Sequence, residues 1–157
     1  MIVLAIDPGV NLGYAIFHDA EPIDYGQLKT KPQDAQVVRL REIRHGIEKL
    51  FADYEPDVMV IENIMPLATN LKSRDAIYWL TAAYHIACIE ADKCGVDIAA
   101  FIPSSVKKAV TGKGNAKKTD MVAAINKIYN LNLKKNMHNA ADALGVGFTF
   151  FVDTNKK

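Results

Sequence analysis

The sequence predicts an α/β domain built around a mixed five-stranded sheet. Three observations predict it: short apolar runs of strand length, longer stretches with helical spacing of apolar residues, and their order along the chain. That order is three strands, helix, strand, helix, strand, helices. Ile2 to Ile6 is an unbroken apolar run ending in Asp7-Pro8-Gly9, a buried strand followed by a turn. Gly13 to His18 and Ile23 to Lys29 are two further strands, close enough to form a hairpin or meander with the first. Asp34 to Phe51 repeats Val37, Leu40, Ile43, Ile47 and Leu50 at helical spacing with charges between, as an amphipathic surface helix does.

After Pro56, Val58 to Ile61 is another buried strand, ending at Glu62. Ser73 to Lys93 is a long helix with little polar surface, broken at Gly95 before the strand Val96 to Ile102. Pro103 opens a short helix through Val106 and Val110. Residues 111–115 form a glycine loop, Lys117 to Tyr129 is an amphipathic helix, and a final apolar helix runs from about His138 to Val152. No internal repeat, low-complexity tract or linker divides residues 1–157, so one domain is expected.

Composition narrows the class. With 157 residues, 50% hydrophobic and 24% charged, the chain can bury a core without staples, and neither disorder nor a coiled coil fits. Cys88 and Cys94 match neither a CxxC pair nor a zinc ribbon, and two free thiols suit a reducing compartment. The uncharged run Ala76 to Ile89 is too short to span a bilayer, and no basic segment precedes the apolar start. A cytoplasmic protein without a membrane partner is expected. The net charge of +1 conceals an asymmetry: residues 1–103 carry nine Lys or Arg against fifteen Asp or Glu, and residues 104–157 carry ten Lys against three Asp. Such a basic half suits a polyanionic partner, unless folding mixes the two signs over the surface.

Asp7 and Glu62 each follow a hydrophobic strand, where α/β sheets build sites. Taken singly, Asp7 is an ordinary turn residue and Glu62 a solvated strand end. Asp142 changes the balance, because it is the only charge between Lys135 and Asp153. A lone carboxylate on a buried helix costs several kcal/mol unless it is paired or binds a metal. Three acids from separate elements make an oxygen-rich site for a hard cation such as Mg²⁺ or Mn²⁺. Asn139, three residues before Asp142, shares its helix face, and His138 lies one residue earlier. The segment 112–119 superficially resembles a P-loop, but Lys117 stands where glycine is required and no strand precedes it. What remains is a concentration of five lysines, Lys107, Lys108, Lys113, Lys117 and Lys118, around a glycine loop that lets backbone approach a phosphate.

Four motifs now stand in order: Ile6-Asp7-Pro8-Gly9 with Gly13-Tyr14; Val60-Ile61-Glu62-Asn63; Val106-Lys107 leading through Gly112 and Gly114 to Lys118; and Ala140-Ala141-Asp142-Ala143-Leu144. Together they resemble the RuvC family of Holliday junction resolvases over nearly the whole chain. The resemblance implies an RNase H-like fold, a twofold homodimer and paired nicking of four-way DNA junctions that leaves 5′-phosphates. It implies two Mg²⁺ ions per site, with Mn²⁺ as a substitute, held by Asp7, Glu62, Asp142 and Asn139. Lys107 and Lys118 match basic residues near the scissile phosphate, with Lys118 supplying charge in the transition state. Asn139 stands where the family has Asp or His, and it is favoured over His138 as the fourth ligand. Met65 stands where members often carry an aromatic wedge, and Met65 and Asn70 are read as further DNA contacts. The compact length also suits a phage-borne member. The apolar circumference of the helix 73–93 is the expected dimer face.

Three other readings compete. A nuclease of the same fold acting on RNA–DNA hybrids or on branched DNA in general would keep the acids and lose the four-way preference. A non-catalytic junction-binding protein would keep the lysines yet gain nothing from a buried Asp142. A sugar-kinase-like ATPase half also begins with a strand and an Asp turn, but this chain is short for it and lacks a second phosphate loop.

Overall fold

The computed structural model describes residues 1–63 and 74–155. Five strands, β1 (Ile2–Asp7), β2 (Asn11–His18), β3 (Glu21–Lys29), β4 (Val58–Glu62) and β5 (Asp97–Phe101), form one sheet in the order β3-β2-β1-β4-β5. β1, β2 and β3 are an antiparallel meander, whereas β1, β4 and β5 run parallel. The mixed sheet expected from the element order is therefore present. β2 turns into β3 through Asp19 and Ala20, both with positive φ, the geometry of a two-residue hairpin turn. β3 begins two residues before its apolar run and includes Pro22. The sheet edge accepts this proline where the register shifts between Ile16 and Phe17.

Helices α1 (Gln36–Tyr54), α2 (Arg74–Lys93), α3 (Pro103–Thr111), α4 (Lys118–Tyr129) and α5 (His138–Thr154) cover the sheet, with a 3₁₀ turn at Lys135–Met137 leading into α5. Pro103 occupies the first turn of α3, and Gly112 ends that helix in the left-handed region at φ 79°. The Lys117 N–H donates to Asp120 Oδ2 (3.0 Å) and fixes the start of α4.

Strand periodicity divides the core between two faces. Leu4, Ile6, Leu12, Ile16, Met59 and Ile61 point to one face, under α1 and α2. Val3, Ala5, Ala15, Phe17 and Val60 point to the other, under α3, α4 and α5. On the first face, the buried carboxylate of Glu90 accepts from Arg44 Nε (2.8 Å) and Lys93 Nζ (2.6 Å), tying α1 to α2. On the second, α5 lies across the middle of the sheet. Its small residues permit that approach: a Cβ on Gly147 would stand 2.1 Å from the Phe17 ring. Cys88 and Cys94 are both free, and no described helix is long and apolar enough to cross a membrane.

Candidate active site

Asp7 continues the alternation of Val3 and Ala5, and Glu62 continues that of Val58 and Val60. Both carboxylates therefore emerge on the α5 side of the sheet. Ile6 pairs with Ile61 in the parallel β1–β4 ladder, so the next step of the register sets Asp7 beside Glu62 at the carboxyl edge. Across the other neighbour, Asp7 pairs with Gly13. A Cβ on Gly13 would lie 2.0 Å from the Asn139 carbonyl oxygen. Only a residue without a side chain lets the first turn of α5 rest on β2 at this point, and one turn further along α5 stands Asp142.

The electrostatics show that the three acids share one site. Burial raises the Asp7 carboxyl well above the usual carboxylate range, and the charges of Asp142 and then Glu62 raise it further. Glu62 is pushed up to about 7, chiefly by burial and then by Asp142. Asp142 is also raised by burial, opposed by Lys118, His138 and Lys107 in that order. Lys118 acts on all three acids and Lys107 on Glu62 and Asp142, so α3 and α4 each deliver one ammonium group to the carboxylates. Among the described residues, no three His, Cys, Asp or Glu side chains close into a ligand shell around a metal-sized space. The acids gather at the carboxyl edge of the sheet, close enough to repel one another.

Beside them a cleft of about 320 Å³ is lined by Asp7, Asn11, Trp79, Leu80, His138 and Asn139 among others, with Asp7 the one acid of the three on its wall. Both residues weighed as the fourth ligand face it. Trp79 and Leu80, from α2, form an apolar wall, a role distinct from the dimer face expected of this helix. Trp79 is held by the Arg39 guanidinium 4.2 Å from its ring centroid and by the edge of Tyr78. The signal available in the sequence is the i, i+3 and i+4 spacing of Ala76, Trp79 and Leu80, all three on the cleft.

The fold divides the five lysines between different places. Lys107 and Lys118 face the acids, whereas Lys108 lines a separate cleft with Phe101, Ser105 and Thr149. Lys113 and Lys117 are exposed at the loop and at the start of α4. Met65 and Asn70 lie outside the described residues.

Three carboxylates gathered at the carboxyl edge of an RNase H-like sheet, faced by two lysines, define a nuclease of the metal-dependent class. The family model for crossover junction endodeoxyribonuclease RuvC matches residues 3–150, and the chain belongs to that family. Crossover junction endodeoxyribonuclease RuvC of Alkaliphilus metalliredigens is 34% identical over 151 residues, covering 93% of this chain and 90% of that protein. The same enzyme of Rhodopirellula baltica is 32% identical over 149 residues, covering 92% and 82%. Among solved structures, Thermus thermophilus RuvC in complex with a Holliday junction substrate superposes with a TM-score of 0.80 at 23% identity, covering 99% of this chain and 96% of that one.

Proposed function

We propose that this chain resolves four-way DNA junctions by hydrolysing phosphodiester bonds in the cleft between β1, β4 and α5. The single observation that carries the reading is the convergence of Asp7, Glu62 and Asp142, each raising or raised by another's charge, with Lys107 and Lys118 set against them. Three half-buried carboxylates faced, among the described residues, by Lys107, Lys118 and His138 make an oxygen donor set that suits hard divalent cations. Asp7, Glu62 and Asp142, with the Asn139 amide oxygen, would hold two Mg²⁺ ions, or Mn²⁺ in their place. When bound, such cations supply positive charge against the phosphate and the acidity that makes water nucleophilic at neutral pH.

The chain's own groups do the rest. Lys118, the first residue of α4, donates to a non-bridging oxygen of the scissile phosphate and stabilises the charge that grows there. Lys107, half-buried on α3, favours the ionised forms of Glu62 and Asp142 against the burial that raises them. Trp79 and Leu80 give the cleft that Asp7 borders an apolar wall. The products are nicks bearing 5′-phosphates.

Nicking is paired because the protein is a twofold dimer. Tyr78 (39% exposed) and Ile89 (58% exposed) stand out from α2, flanked by half-buried Ile77 and Ile86. A second copy laid on α2 buries them and presents two clefts to a substrate of the same symmetry. Light scattering at micromolar concentration is expected to give twice the monomer mass; a monomer overturns the α2 interface.

Activity is tested by incubating the protein and Mg²⁺ with four-way, three-way, flap and RNA–DNA hybrid substrates and mapping the products. Paired nicks on four-way DNA are expected. Asp7→Asn and Asp142→Asn should each lower cleavage by on the order of 10³-fold while metal-free junction binding survives. Equal cleavage of all substrates would replace this reading with that of a general branched-DNA nuclease.

A further inference from the structure

A second groove, of about 270 Å³, runs between α4 and the 3₁₀ turn that precedes α5. Lys118, Thr119, Asn126, Lys135 and His138 line it, with Val122 and Ala123 supplying an apolar floor, and no carboxylate does. The starts of α4 and α5, at Lys118 and His138, both border it, so the positive ends of two helix dipoles add to the lysines. The far wall is fastened rather than loose. Asn126 Nδ2 donates to the Leu133 carbonyl (3.2 Å), its Oδ1 accepts from the Leu133 N–H (2.8 Å), and Gln27 Nε2 donates to the Asn136 carbonyl (3.2 Å). These bonds bracket Lys135 on both sides and hold its backbone in place before any ligand arrives.

The groove meets the cleft beside Asp7 at His138. His138 lines both, and Lys118 borders the groove while acting on all three acids. A strand with its scissile phosphate at Asp7, Glu62 and Asp142 therefore has a basic channel immediately beside that point. Three carboxylates repel a polyanion, so a strand entering the cleft needs anchorage nearby that does not depend on cations.

We propose that this groove is a flanking phosphate subsite for the cut strand, with Lys135 as its charge and the Asn126-braced turn as its scaffold. The inference rests on the junction-nuclease reading for the strand's path, but the subsite binds phosphate whether or not cleavage follows. Lys135 Nζ donates to a backbone phosphate displaced from the scissile one, and Lys118 is shared between the two.

The experiment compares Lys135→Ala with Lys134→Ala, an exposed lysine one residue away that does not line the groove. Binding of a four-way junction is measured without metal as a function of salt. Lys135→Ala should lower the salt slope by about one, the value for one neutralised phosphate, and Lys135→Arg should restore it. Lys134→Ala should leave the slope unchanged. In cleavage, Lys135→Ala should raise KM several-fold with kcat altered less than twofold. A methylphosphonate walked along the strand should weaken wild-type binding at one position beside the cut and have no further effect there in Lys135→Ala. Equal effects of Lys134→Ala and Lys135→Ala, or a methylphosphonate penalty that persists at every position in Lys135→Ala, overturns the subsite. A wild-type protein that binds junctions with the expected Lys135 signature but does not cut them leaves the subsite standing and removes the nuclease reading instead.

Discussion

Replacing Glu62 by glutamine should abolish cleavage and, in the absence of metal, make the protein more stable. The folded-state pKa of Glu62 is about 7 against an ordinary 4.5, raised first by burial and then by Asp142. Folding thus favours the protonated carboxyl. Its contribution is fully present below pH 4.5 and is lost as the pH rises towards 7, where the folded protein must carry an ionised Glu62 beside Asp142. A gap of about 2.5 units corresponds to about 3 kcal/mol at pH 8. Glutamine keeps the shape and removes the charge, and it also relieves Asp7, which the Glu62 charge pushes up. For a chain of this length about 3 kcal/mol is a melting shift of roughly 6–12 °C. Thermal unfolding in EDTA at fixed protein concentration should show Glu62→Gln melting above wild type at pH 8, with the difference closing at pH 4.5. Mg²⁺ at pH 8 should raise the wild-type midpoint more than the variant's. A variant no more stable than wild type at pH 8, or offset equally at both pH values, would refute the argument that the acids are held together against their own repulsion.

Three further outcomes are expected. Gly13→Ala puts a Cβ 2.0 Å from the Asn139 carbonyl, where ordinary contact begins at 3.4 Å, so the start of α5 must retreat by more than 1 Å. The protein should lose about 1–3 kcal/mol of stability and roughly 10²-fold in cleavage, read by melting and by single-turnover rates; unchanged cleavage would mean that Asn139 and Asp142 need not be so placed. Asn139→Asp adds a full charge to the donor set and should lower the Mg²⁺ concentration for half-maximal cleavage, while His138→Ala changes it little; the reverse pattern in metal titrations moves the ligand to His138. Lys107→Ala and Lys118→Ala should reduce turnover, whereas Lys113→Ala and Lys117→Ala should reduce only the salt slope of binding, by about one for each phosphate left without its lysine.

The acids are legible in the sequence because each violates a local rule. Asp7 and Glu62 terminate apolar runs, and Asp142 interrupts the most apolar helix of the chain, so an acid in apolar surroundings marks all three. Strand parity, which can be counted directly along the chain, also puts Asp7 and Glu62 on one face. The sheet itself follows from the same apolar runs, and its boundaries move only where tertiary packing decides them, as at Pro22, which an edge strand tolerates. The lysines are legible as a composition but not as a geometry. Lys107 and Lys108 are neighbours in α3, and the helix turns them about 100° apart, one towards the acids and the other into the cleft with Thr149.

What the sequence conceals are features that exist only between elements. Gly13 looks like a small residue in a strand until Asn139 arrives above it, and Asn126 looks like a polar residue on an exposed helix until it clasps Leu133. In both places the cost is set by a backbone group brought from more than five residues away, which no local pattern reports. The consequence for function is specific. On the proposed function the acids set the chemistry of the site, and the two close approaches, α5 on Gly13 and the braced turn on Asn126, decide whether Asn139, Asp142 and Lys135 stand where a DNA strand can meet them. Substitutions at these silent positions should therefore act through placement without altering the charge of the site: Gly13→Ala by slowing cleavage, and a change at Asn126 by weakening the binding that Lys135 provides.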